Sequence, residues 1–193
     1  MRLAPGAAVS ELELSRSLGI GRTPIREALQ RLAREGLVTI LPRRGILVSE
    51  INVKRQLRLL EVRRALETLI ARTAARRATQ AERERLTELA GAFDRCAKSR
   101  DDVAFMRADR EFNALSRAAC HNEFASGAMG LIHSLSRRFF FTHYKQAGDV
   151  PLTARMHAEM ARAIAGGNEA KAAKATEKLL DVIEKFTRDT TDI

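Results

Sequence analysis

The chain has no tryptophan and one tyrosine among its 193 residues, and aromatics of all kinds make up 5%. That scarcity argues against a surface that stacks single-stranded bases on aromatic platforms. Two cysteines, Cys96 and Cys120, do not make a disulfide framework. Both thiols are expected to be small buried hydrophobes in a reduced, cytoplasmic protein with no signal peptide. No apolar run is long enough to cross a bilayer. No repeat, low-complexity tract, Gly-rich phosphate loop or His-Glu-x-x-His pattern occurs, which removes common routes to nucleotide and metalloprotease chemistry. Acidic residues are in deficit too: 24 Asp and Glu against 34 Lys and Arg give a net charge of +10. The excess is local. Residues 1–50 hold eight basic and five acidic side chains, residues 51–80 hold eight and two, and residues 81–193 hold eighteen and seventeen. A cationic front and a nearly neutral rear suit a polyanion-binding end joined to a segment with another task.

Hydrophobic residues at 45% are enough for a buried core. In the front, Ser10 reads as the N-cap of a short amphipathic helix, Glu11 to Leu18, and Gly19 ends it. A second helix begins near Thr23, with Pro24 in its first turn, where the missing N–H costs nothing. Ile25, Ala28, Leu29 and Leu32 fall at helical spacing, and Gly36 closes the helix. Two helices joined by a tight Gly turn form a helix-turn-helix. Leu37–Leu41 and Ile46–Val48 then read as short strands around the turn Pro42-Arg43-Arg44-Gly45. A helix-turn-helix followed by a basic-tipped hairpin is a winged helix. Its second helix would enter the major groove by its N-terminal end. Arg22 and Arg26, one turn apart, are candidate guanine readers through bidentate pairing, Thr23 a phosphate contact and Arg44 a minor-groove or phosphate contact. The competing reading leaves these arginines solvated on a surface helix, as it does Arg31, Arg34 and Arg43.

The wording of this segment resembles the GntR family of bacterial transcription regulators. The resemblance rests on Pro5-Gly6, Ser10-Glu11, Leu14, Leu18-Gly19-Ile20, the run Arg22 to Leu29, Leu32, Glu35-Gly36-Leu37-Val38 and Arg44-Gly45. It implies DNA contacts from Arg22, Thr23 and Arg26, with the wing around Gly45 beside them. Two departures accompany it. Gly21 stands where the family usually has Ser or Thr, and the family's helix ahead of Pro5-Gly6 has no counterpart, so a first helix is expected to be missing or to lie upstream.

From about Val53 the pattern is helix after helix. A long helix through Leu57, Leu60, Leu66 and Ile70 is followed by helices over Ala81–Ala97, Asp101–Ala119, Glu123–Tyr144, Leu152–Ala165 and Asn168–Thr187. Six such helices with short connections predict an antiparallel bundle. The expected organisation is mainly α, with a winged helix over 1–50 and an all-α domain over 53–193. The rear half resembles the FCD effector domain of the FadR-like branch. The matching phrases are Leu60 to Glu67, Asp109-Arg110-Glu111-Phe112-Asn113, His121-Asn122, His157, Ala163-Ile164 and Gly167-Asn168. The resemblance implies dimerisation, a small carboxylate effector, and in many members a divalent metal such as zinc or nickel held by one Asp and three His.

Here that ligand set is reduced. Asp109 and His157 are present, Asn113 replaces one His, and the last would fall at Leu179, which cannot ligate. Two readings stay open. Asp109, His157 and the Asn113 carbonyl hold a metal, with His133 or His143 substituting; or Asp109, Asn113 and His157 bond one another and water in a polar chamber. Arg63 either grips an effector carboxylate or Asp109, or pairs with Glu67 one turn on. His121 reads as a helix-end cap, Phe139-Phe140-Phe141 as core or dimer surface rather than ligand wall, and Arg137-Arg138 is undecided. The function expected is a homodimeric, DNA-binding transcription regulator, a repressor, acting on a palindromic operator under a small carboxylate effector. The alternatives are a DNA-binding-defective dimerisation partner and a small helical enzyme using Asp109 and His157.

Overall fold

A computed structural model of the chain describes residues 3–42, 44–147 and 149–190. The front is built from β1 (Ala8–Val9), α1 (Glu11–Leu18), α2 (Arg22–Arg34), β2 (Val38–Leu41) and β3 (Gly45–Val48). Ser10 and Glu13 form a reciprocal capping box at the start of α1, and Gly19 ends it in the left-handed conformation. Gly21 caps α2 without a side-chain bond, so one orphan donor there goes unmet by its own cap.

The wing is a three-stranded antiparallel sheet in the order β1-β3-β2, with Ala8 opposite Leu47 and Val38 opposite Val48. The sequence predicts only the two later strands. A two-residue β1 carries no readable alternation, and its pairing is set by β3. Gly45 makes the sheet's corner possible: its φ is +97°, and a Cβ there would stand 3.3 Å from the Val9 carbonyl oxygen. Ile25, Leu29, Val38 and Ile46 form the small core of this end, with Val9, Leu14 and Leu32 packed against it.

The rear is all helical: α3 (Val53–Arg77), α4 (Gln80–Ser99), α5 (Asp102–Ala119), α6 (Glu123–Ala147), α7 (Val150–Ala165) and α8 (Glu169–Arg188). Each start has a side-chain cap, from Asn52, Thr79, Asp101, Asn122, Asp149 and Asn168. α4 packs along α7, and α3 along α8. Small residues let these axes approach closely: Ala71, Ala74, Ala75, Ala154, Ala161 and Ala172 are fully buried. Phe93 lies fully buried against Phe105, Phe112 and the His157 ring, with ring centroids 5.0–6.0 Å apart. Both cysteines are buried thiols, and burial pushes the Cys96 thiol up. Phe93→Ala removes the centre of this cluster and should cost about 3–5 kcal/mol, read as a lowered urea midpoint with unchanged m-value.

Candidate functional site

Two places gather chemistry. The first is the exposed N-terminal end of α2. Arg22, Thr23 and Arg26 all face solvent there. In the free chain Arg26 is engaged by a carboxylate from α1: Nε and Nη2 donate to Glu11 at 3.0 and 2.9 Å, and Arg22 Nη2 stands 3.7 Å from the same group. The hydrogen bond from Arg26, with the charges of Arg26 and Arg22, holds the Glu11 carboxyl below its ordinary range despite some desolvation. The pair is solvent-exposed, so it orients the guanidinium without committing it; screening keeps such pairs easily exchanged for a phosphate or a base. Arg44 sits exposed at the wing turn, its amide donating to the Leu41 carbonyl, and Gly45 closes that turn. Arg43 lies outside the described residues.

The second place is a cavity of about 60 Å³ among α3, α5, α6, α7 and α8. A water position needs about 10–15 Å³ on the same measure, so a small organic molecule fits and a long chain does not. On its α5 side Asp109 Oδ1 accepts from Asn113 Nδ2 at 2.8 Å and faces His157 Nε2 at 3.3 Å. His157 Nδ1 lies 2.8 Å from the Thr153 carbonyl, so it must carry a proton. Nε2 and the Asp109 carboxylate then share a cation: a proton on the imidazole or an ion between them. Burial alone would raise the Asp109 carboxyl, but the hydrogen bond and charge of His157, with Arg137 nearby, outweigh it and hold it below its ordinary range.

A metal does not fit the donors here. Asn113 turns its amide nitrogen, not its carbonyl, toward Asp109. Leu179 is buried in the apolar core, and His143 points Nδ1 at the Phe139 carbonyl. Among the described residues no three His, Cys, Asp or Glu side chains converge as a metal complement would require. A proton on His157 meets the geometry with the groups present, and Arg137 Nη2, 3.6 Å from Asp109 Oδ2, adds a second positive charge.

On the α3 side Arg63 is held by Glu67 at 2.7 Å and donates to Ser136 Oγ at 2.5 Å. His133 Nε2 lies 3.2 Å from Glu67, and Gln56 also donates to Ser136, at 2.9 Å. Arg63 therefore lines the cavity with its charge already balanced. Its neighbour across the chamber, Arg137, is the guanidinium that approaches Asp109. The signal for Arg137 was its helical spacing: His133, Ser136, Arg137 and Phe140 fall at i, i+3, i+4 and i+7 on one face of α6. Phe139, Phe140 and Phe141, expected as core or dimer surface, all line the cavity. Consecutive helical residues point about 100° apart, so three in a row span more than one environment. His121 lies outside this chamber, paired with Glu82 at the surface.

Residues 58–182 match the FCD domain, and residues 1–48 match "Bacterial regulatory proteins, gntR family". The chain belongs to the GntR family. It carries a GntR-type front and an FCD domain behind. Similar curated proteins include an HTH-type transcriptional regulator in an unstable DNA locus of Streptomyces ambofaciens. It is 53% identical over 55 residues, covering 28% of this chain and 23% of that protein. The HTH-type transcriptional repressor RspR of Escherichia coli K12 is 38% identical over 80 residues, 42% of this chain and 35% of RspR. The alignments thus span about a quarter to a third of these relatives. Among solved structures, Escherichia coli McbR/YncC superposes with a TM-score of 0.77 at 17% identity, over 93% of this chain and 86% of its own. A putative GntR regulator from Rhodococcus sp. RHA1 gives 0.75 at 21% identity, over 98% and 91%. At those identities the likeness is one of fold. No helix among the described residues is long and apolar enough to cross a membrane.

The buried Glu67 ties stability to pH. Burial alone would raise its carboxyl from 4.5, but Arg63 and His133 outweigh that and hold it at about 2. A carboxyl depressed on folding stabilises the protein fully above the unfolded value and loses that contribution as pH falls to the folded one. The urea midpoint of this GntR protein should therefore drop between pH 4.5 and about 2. Glu67→Gln should flatten that acid limb and, by stranding Arg63, cost about 3 kcal/mol or more at neutral pH. An acid limb unchanged in the variant contradicts the assignment.

Proposed function

We propose that this GntR regulator is a repressor that binds a palindromic operator as a homodimer and releases it when a small carboxylate occupies the FCD cavity. The observation that carries the reading lies on α6. Arg137 faces the cavity, and the next residue, Arg138, donates to the Ser49 carbonyl, one residue past wing strand β3. Burial, with Arg55 nearby, lowers the Arg138 guanidinium from its ordinary value, as a desolvated contact should. A second junction supports the first. Gly36, at φ +70° in the turn after α2, faces Arg55 and Leu135: a Cβ there would stand 3.2 Å from Arg55 Nη2 and 3.8 Å from Leu135. A shift of α6 on ligand binding therefore reaches both the wing and the end of the recognition helix.

An effector that fits one placement of α6 better than another biases the front domains by that difference in affinity, and no more. Arg22 and Arg26 read bases, Thr23 and Arg44 hold phosphate, and Gly45 sets the wing. Two half-sites require two copies held at fixed spacing. Phe124 and Leu131, 81% and 50% exposed and two turns apart on α6, support pairing through that helix.

A duplex enriched by the protein from a random pool should be two-fold symmetric. Arg26→Ala should weaken binding to it by about tenfold or more in fluorescence anisotropy. Glu11→Gln, which frees Arg26, should instead tighten binding to unrelated DNA and steepen its salt dependence. Arg138→Met should keep operator affinity while blunting release by effector. Failure of the pool to enrich any sequence contradicts the reading.

A further inference from the structure

The donor inventory of the cavity identifies what kind of acid fits it. Most polar groups there are engaged, and two buried nitrogens are not. Arg63 is taken by Glu67 and Ser136, His157 by Thr153 and Asp109, and Asn113 by Asp109. Arg137 Nε and His133 Nδ1 are buried without a hydrogen-bond partner among the described residues. They sit on the same face of α6, one turn apart, and both residues line the cavity. A buried polar atom left unmet is costly, so each is recognition capacity held in reserve.

The two atoms ask for different things. Arg137 Nε is always a donor, and its guanidinium stands 3.6 Å from Asp109, close enough for attraction but not bonded to it. It calls for an anionic oxygen. His133 Nε2 lies 3.2 Å from the Glu67 carboxylate and donates to it; in the neutral ring Nδ1 is then an acceptor. It calls for a hydroxyl. The remaining wall is mostly aromatic: Phe105, Phe139, Phe140, Phe141 and Phe186 line the chamber, with Met106 and Ile183 beside them. Faces and edges of that kind suit a flat ring and offer nothing to a polyhydroxylated chain.

The geometry points to a hydroxylated arene carboxylate as the ligand of this cavity, bound without a metal. Its carboxylate is received by Arg137, its hydroxyl donates to His133 Nδ1, and its ring lies among the phenylalanines. This rests on the effector reading above and specifies it. Arg137 takes the role that a cation held by protein ligands would otherwise fill. The His157–Asp109 pair stands behind it, orienting the guanidinium rather than touching the ligand.

Isothermal titration calorimetry of the intact protein, with 1 mM EDTA as a proposed working condition, tests this with 2-hydroxybenzoate, 3-hydroxybenzoate, benzoate and benzamide. At least one hydroxybenzoate should bind more tightly than benzoate, and benzamide should not compete. Arg137→Met should weaken the acids by about tenfold or more, as loss of a charged hydrogen bond does. In His133→Phe the hydroxybenzoates should lose their advantage over benzoate, so that the preference for the hydroxylated ring is erased. A thermal melt of each variant distinguishes lost binding from lost fold; Arg137→Lys, which keeps the charge, should retain part of the affinity. The proposal is overturned if benzamide matches benzoate, if Arg137→Met binds as well as wild type, or if none of the acids binds. It is also overturned if binding appears only when zinc or nickel is added. Citrate with zinc, assayed on the selected operator duplex, keeps the two readings apart. Release by zinc citrate alone would remove the arene acid and keep effector control, whereas no release by any acid would remove effector control as well.

Discussion

The carboxylate of Glu67 is the constraint on which the rest of the rear domain depends. It is buried on α3, taken by Arg63 of the same helix and by His133 of α6. Ser136 extends the arrangement by accepting from Arg63 and Gln56, so five polar side chains fix the rotation of α6 about its own axis. A buried charge tolerates few alternatives, because any register that separates the pair leaves an uncompensated ion. That rigidity is what gives neighbouring residues of α6 dependable directions. His133 and Arg137 face the chamber, while Arg138 reaches toward the strand that ends the wing.

The front domain uses charge in the opposite way. Glu11 meets Arg26 and Arg22 at the surface, where solvent makes the contact exchangeable. Both guanidiniums converge on that one carboxylate, which partly neutralises them at the surface. Rigid pairing in the rear and exchangeable pairing in front suit a device that senses at one end and grips a polyanion at the other. The two meet where the Gly36 turn faces Arg55 and Leu135, and where Ser49 accepts from Arg138.

Much of this was legible in the residues alone. Ser10, Gly19, Pro24 and Gly36 punctuate the helix-turn-helix because caps and turns are decided locally. The six rear helices follow from apolar spacing. Asp109 and Asn113 could be placed on one helical face by their separation, and Leu179 could be discounted as a ligand by its chemistry. What remained hidden depends on partners distant in sequence. The surroundings of the Arg63–Glu67 pair, Ser136 and His133, lie some seventy residues away. Arg137 and Arg138 look alike in the chain, yet one helical step sends them to different places. Of the three consecutive phenylalanines, read as core or dimer surface, Phe139 is buried and Phe140 packs on the core; that they also line a cavity is not told by apolar character alone. β1 escaped because two residues gain strand geometry only from the neighbour they pair with.

Hydrogen exchange of the intact protein, with and without a saturating hydroxybenzoate, bears most directly on the claim that α6 joins the chamber to the wing. Added protection should appear along α6 around Ser136–Phe139 and also across Gly45–Gln56, which does not touch the ligand apart from Gln56. Protection restricted to α5, α7 and α8, with residues 45–52 unchanged, would contradict the account.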